Sequence, residues 1–199
     1  IELAAARVRG LSVAQLAARL DQCFRLLIGG NRTALPRQQT LRATIDWSYE
    51  LLSHPERRLF DRLSVFDGGW TLEGAEAVCA GDGLEPDDVF GLLLRLVDKS
   101  LVIAEDGGDG ATRYGLLEST RAYARERFER RREARATYGR FADYYVALAD
   151  EAEREIPRVR QRAWVRRLEF EHENLRGVLR RSLRDGDGPR GLRLGSALW

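Results

Sequence analysis

Three features of the sequence predict a mainly α-helical chain with one β-hairpin. Apolar residues recur at helical spacing through most of the 199 residues. Two short β-prone runs, residues 100–104 and 111–116, flank a Gly/Asp-rich connection at 105–110, which is a hairpin pattern. A run of short helices precedes the hairpin and another helix follows it, and no other segment reads as strand. That order is the order of a winged helix. The expected architecture is therefore a winged helix flanked by helical segments, with a helical-hairpin array like tetratricopeptide repeats at the C-terminal end. The expected divisions are 1–34, 35–133 and 134–199.

Residues 1–9 are Ala-rich and helical, and Gly10 ends them. Ser12 can cap a second helix whose Leu16, Leu20, Phe24 and Leu27 share a face. Gly29 and Gly30 stop it. Leu41, Ile45, Ser48 and Leu52 make the stripe of the next helix, widened by Trp47 and Leu51. Ser53, Pro55 and Glu56 read as cap, first-turn proline and capping-box acid of another, with Leu59, Phe60, Leu63 and Phe66 inward. Thr71 caps a short helix that turns Leu72, Ala75, Val78 and Cys79 to the core. Asp87 and Asp88 then suit the positive end of a helix dipole. That helix carries Val89, Phe90, Leu93, Leu94, Leu96 and Val97. It is apolar almost all round, which predicts burial on more than one side.

After the hairpin, a helix from Leu117 to about Arg132 is expected to turn Leu117, Ala124 and Phe128 inward. Tyr138, Phe141, Ala142, Tyr145, Leu148, Ala149 and Ala152 form a clean amphipathic stripe. Pro157 separates it from a helix with Trp164, Leu168, Leu175, Val178 and Leu179 on one side. A Gly/Asp/Pro break at 185–189 precedes a last helix starting near Arg190.

Composition narrows the function. The chain is 44% hydrophobic and 32% charged, enough to bury a core and to clothe helices in charge, and its net charge is only +2. No global basic field therefore argues for nucleic acid. The expected reading helix offers Arg95 and Lys99 against Asp87, Asp88 and Asp98. The hairpin tip is acidic, with Glu105, Asp106 and Asp109, where a DNA-binding wing is basic. Residues 121–135 hold seven Arg and three Glu, a local surplus of four positive charges. Pairs such as Glu126 with Arg130 suit a solvated helix better than a phosphate surface.

Cys23 and Cys79 lie among apolar residues and read as buried free thiols. His54 and His172 have no nucleophile or acid at a catalytic spacing, and the Glu residues around His172 suggest a helix contact more than a metal site. No phosphate-binding loop occurs. The chain is expected to be no enzyme and to hold no cofactor or metal. It lacks a membrane-spanning run and a signal peptide, so a cytoplasmic location is expected. It also has no Met and begins and ends inside helical patterns, as a piece of a larger protein would.

Several blocks closely resemble the bacterial STAND-class regulators, the NB-ARC-like predicted ATPases of SARP- and LuxR-type transcriptional regulators. They are LPRQQTLRATIDWSYELL at 35–52, LSVFDGGWTLEGAEAV at 63–78, LRLVDKSLV at 94–102, YGLLESTRAYA at 114–124 and EHENLR at 171–176. The resemblance implies that 1–34 is the tail of the helical part of a nucleotide-binding region. It implies that the winged helix is a switch arm packing on that region, and that the helical repeats receive a signal or partner. ATP or ADP and Mg would belong to the parent protein, outside this chain. In many relatives a Met-His-Asp segment opens the helix after the hairpin and its His touches the ADP phosphate. Leu116, Leu117 and Glu118 stand there in this sequence, so Leu117 replaces the phosphate-contacting His, and leucine donates no hydrogen bond. Glu118 and Arg121 are the expected interdomain contacts. The rival reading is a winged-helix DNA-binding transcriptional repressor.

Overall fold

The computed structural model describes residues 36–107, 111–155 and 161–198. The expectations for segment 1–34, Cys23, Asp109 and Pro157 lie outside them. The described elements run α1 (Pro36–Glu50), α2 (His54–Leu63), α3 (Leu72–Cys79), α4 (Pro86–Asp98), β1 (Ile103–Asp106), β2 (Thr112–Gly115), α5 (Glu118–Phe128), α6 (Ala134–Glu155), α7 (Gln161–Asp185) and α8 (Gly188–Leu198). The fold is mainly helical with a two-stranded antiparallel sheet, as expected.

Local signals set most of the boundaries. The Ser53 amide donates to the Glu56 carboxylate at 2.7 Å, the return half of a capping box at the start of α2. Lys99 at the far end of α4 donates to the same carboxylate, so this cap also ties α2 to α4. The Gly74 amide donates to Thr71 Oγ1 at 3.2 Å and caps α3. Helix α4 ends in a Schellman motif, with the Leu101 amide on the Leu96 carbonyl and the Ser100 amide on that of Val97. Ser100 takes the left-handed position there, with φ of 55°, where glycine is usual.

The hairpin pairs Ile103 with Gly115 and Asp106 with Thr112, so the strands are shorter than the runs expected. Leu101 and Val102 are buried in the turn before β1. Trp70 adds an antiparallel bridge to Tyr114, with hydrogen bonds of 2.9 and 2.8 Å. Sequence reasoning missed this third strand position because one residue has no periodicity. The close approach explains Gly69, where a Cβ would lie 2.9 Å from the Tyr114 carbonyl oxygen.

One core runs from Ile45 to Leu194. Helix α2 packs on α4 and α5, α3 on α6, and α8 on both α6 and α7. Phe66 is its hub: it stacks on Trp70 at 5.2 Å and meets the edges of Phe141 and Tyr145 at 5.4 and 6.5 Å. Cys79 is buried and free, and burial pushes its thiol up to about 12.

Three expectations need correction. Leu41 is not a core residue; it is 44% exposed, and Tyr49 takes the buried place beside Phe60 and Tyr123. Helix α4 is not buried all round: Val89, Leu92, Leu93 and Leu96 are inward, while Phe90 and Leu94 are exposed. Leu117 does not turn inward; it precedes α5 as its N-cap and is 56% exposed.

Arg62 was not singled out, yet its side chain is fully buried. It donates to the carbonyls of Cys79 and Gly81 at 2.5 and 2.7 Å and pairs with Glu133 at 3.4 Å. Arg140 donates to the Val78 carbonyl at 3.0 Å. Two guanidinium groups thus satisfy carbonyls at the negative end of α3.

Candidate functional site

In a winged helix the helix before the hairpin and the wing are the surfaces that reach a partner. The outer face of α4 presents Phe90 at 45% exposure and Leu94 at 43%, among exposed Asp87, Asp88, Arg95 and Asp98. Lys99, one of the two cations this helix offers, is held by Glu56. Glu105 and Asp106 of the wing are exposed. Base edges are read by donors such as Arg, Lys, Asn and Gln, and phosphates attract cations. This face offers apolar surface and carboxylates, with Arg95 as an exposed cation among them.

At the opening of α5, Leu117 and Glu118 are both exposed. Arg121 points back into the fold and donates to the Asp67 carbonyl and to Glu118. The structure therefore brings Glu118 and Arg121 together and leaves Leu117 beside them at the surface.

The Arg-rich stretch is largely consumed inside the chain. Arg125 pairs with Asp67 at 3.0 Å, Arg130 with Glu126 at 3.2 Å, and Arg131 with buried Asp61. Arg127 lies over the rings of Tyr49 and Tyr123 at 4.4 and 5.3 Å. Asp61 also accepts from the Tyr49 hydroxyl at 2.9 Å, while its Oδ1 accepts nothing among the described residues. Burial raises its carboxyl to about 6, against the pull of Arg131 and Tyr49.

The EHENLR block forms the junction between the winged helix and the helical pair. Asn174 accepts from the Gly68 amide at 2.9 Å and donates to the Gly69 carbonyl and to Glu171, both at 2.8 Å. Glu171 also receives Arg113 of β2 at 2.5 Å and the Tyr145 hydroxyl of α6 at 2.7 Å. Burial, and then Glu171, push that hydroxyl's pKa well above its ordinary value, which keeps it a donor. Asp67 bridges Arg125 of α5 and Arg180 of α7, each at 3.0 Å. Gly177 lets Asp67 approach, since a Cβ there would sit 2.2 Å from its Oδ2. His172 is exposed, so the contact expected of it is made by Glu171 and Asn174. No group of three or more His, Cys, Asp or Glu among the described residues is placed to hold a metal.

These elements define a winged-helix module locked to a helical pair, and comparison with known proteins agrees on the module. Residues 52–129 match the family described as winged helix-turn-helix domain. The whole chain is 48% identical over 198 residues to proteins of Mycobacterium tuberculosis and Mycobacterium bovis, each named "Putative HTH-type transcriptional regulator". An uncharacterized protein of Mycobacterium tuberculosis is 45% identical over 142 residues, 71% of this chain and 36% of its own length. The chain spans 22% of the length of the regulators it matches. No solved structure matches it. The chain is thus homologous to proteins named as transcriptional regulators and contains a winged helix of the helix-turn-helix type.

Proposed function

We propose that this segment is a non-catalytic, regulatory part of a transcriptional regulator, and that its winged helix docks on protein. The observation that carries this is the outer face of α4, where Phe90 and Leu94 stand exposed among Asp87, Asp88 and Asp98. Exposed apolar residues rimmed by charge mark a protein contact. The STAND-class resemblance supplies the occupant: a nucleotide-binding domain of the same polypeptide, which would hold ATP or ADP and Mg. Residues 1–34 would be the tail of that region, 35–133 the switch arm, and 134–199 the start of repeats that receive a signal or partner in the cytoplasm. Leu117 and Glu118 would meet the nucleotide-binding domain, with Arg121 positioning Glu118.

DNA binding is the second reading. The winged helix-turn-helix match and the relatives' names favour it over docking. Binding of the chain to labelled duplex DNA across a salt series separates the two. Docking predicts weak binding that Arg95→Glu leaves unchanged. Tight binding with a steep salt slope, lost in Arg95→Glu, would establish the DNA reading instead.

A further inference from the structure

We infer that the cleft between α6, α7 and α8 is a binding site for a small phosphorylated ligand. It goes beyond the docking of α4 and does not depend on it. The cavity has a volume of about 660 Å³, within the usual range for small-molecule sites. Arg132, Arg135, Arg181 and Arg190 line it against Asp185 and Asp187, so four cations face two anions.

Both aspartates are already engaged. Asp185 pairs with Arg181 at 3.3 Å and Arg184 at 3.1 Å, and Asp187 pairs with Arg190 at 2.9 Å. Arg190 also pairs with Asp143 at 2.7 Å. Arg132 and Arg135 are exposed and have no ion-pair partner among the described residues, although the rest of their Arg-rich stretch is largely paired. The positive surplus therefore sits on the two arginines at one wall. Their guanidinium forks suit the oxygens of a phosphate.

The floor is not polar. Tyr138, Phe141, Ala142 and Val178 form it, and the Arg181 guanidinium carbon lies over the Tyr138 ring, 3.3 Å from its centroid. A ligand with a phosphate at one end and a small apolar remainder fits this division. A second cavity of about 280 Å³ shares Tyr138, Phe141 and Arg181, and reaches Val65, Asp67 and Arg125 of the winged helix. Occupancy of the cleft would thus be felt at the junction that Asp67 bridges.

Calorimetric titration of the chain with phenyl phosphate, inorganic pyrophosphate and phenol tests the site. Both phosphates should saturate it and phenol should not. Arg132→Gln with Arg135→Gln should weaken phosphate binding about tenfold or more, as expected for lost charge-assisted hydrogen bonds, with the melting temperature unchanged because both side chains are exposed. No saturation up to about 10 mM, above the Kd of even a weak small-ligand site, would overturn the proposal. So would binding that ignores the double substitution. An oligonucleotide that binds through the same arginines, with affinity growing with its length beyond what the cleft holds, would replace a small ligand by nucleic acid.

Discussion

The two sides of the winged helix are finished differently. On the side toward α6 and α7, Gly68, Gly69, Arg113 and Asp67 meet Asn174, Glu171 and Arg180, so polar groups of the turn and wing have partners within the chain. On the outer side of α4, Phe90 and Leu94 stand in solvent among carboxylates. The first surface is settled by the chain itself, because buried polar groups must be hydrogen-bonded. The second satisfies no such demand, and its composition fits a surface that another protein covers.

Neighbouring leucines give the largest contrast. Leu93→Asp should unfold the module, since an unpaired charge in an apolar site costs several kcal/mol, about 4 or more, against a total stability of about 5–15 kcal/mol. Leu94→Asp, one residue on and exposed, should stay within about 1 kcal/mol of wild type. Chemical denaturation of both variants checks this. Equal loss would mean that the outer face of α4 is part of the core.

At the junction, Glu171→Leu removes one shared acceptor from Arg113, Tyr145 and Asn174. The expected loss is about 3–5 kcal/mol, as for removing one partner of a buried ion pair. His172→Ala should change stability by no more than about 0.5 kcal/mol, because its side chain is exposed. Urea midpoints of the two variants decide whether the block acts through Glu171, and a His172 effect as large as that of Glu171 would reverse the assignment.

Asp61 lies inside the winged helix with one carboxylate oxygen that accepts nothing among the described residues, and it should make stability depend on pH. Its carboxyl is raised from 3.8 to about 6 in the fold, chiefly by burial. The folded state therefore binds this proton more tightly than the unfolded one. The contribution is complete below about pH 4 and lost as pH rises through 6. Relative to Asp61→Asn, wild type should lose about 2 kcal/mol between pH 4 and pH 7. A flat difference across that window would mean that Arg131 and Tyr49 compensate burial in full.

What was legible in the sequence follows the range of each interaction. The Ser53–Glu56 box, the Thr71 cap and the hairpin are encoded within a few residues, and the structure shows them there. The stripe of α6 was equally readable because periodicity specifies it. The partners of Arg113 and Asn174 lie 58 and 106 residues away, so spacing could not disclose them. The buried Arg62 was hidden because an arginine normally reads as surface, and its partners are backbone carbonyls that any sequence supplies. Helix α4 misled for a related reason. Apolar residues on every side predict burial, but whether a partner is present to bury them is not a property of the helix. Of the candidate site, the resemblance marked Leu117, Glu118 and Arg121, and the structure places the first two at the surface and turns the third toward Asp67. The Arg-rich stretch was readable as mostly paired, whereas the surplus at Arg132 and Arg135 emerged only when α6 to α8 were assembled.

The smallest expected effect lies where the two sides meet, in the turn that leads from α4 into the wing. Ser100 holds φ of 55° at the left-handed position of the Schellman motif. An L-residue there costs roughly 1–2 kcal/mol of backbone strain. Glycine removes the strain but makes the unfolded chain more flexible, which takes back about 0.4–1 kcal/mol. Ser100→Gly should therefore raise stability by about 0.5 kcal/mol, or about 1–2 °C in Tm for a chain of this size. Since the turn only fixes the angle between α4 and the wing, Leu94→Asp should cost the same in the Ser100→Gly background as in wild type, as distant independent sites add. Differential scanning calorimetry of the single and double variants measures both. A fall in Tm on Ser100→Gly would show that the serine hydroxyl contributes a contact larger than the strain it sits in. A Leu94→Asp cost that changed with residue 100 would show that the wing is packed against the outer face of α4, and would join the two surfaces into one.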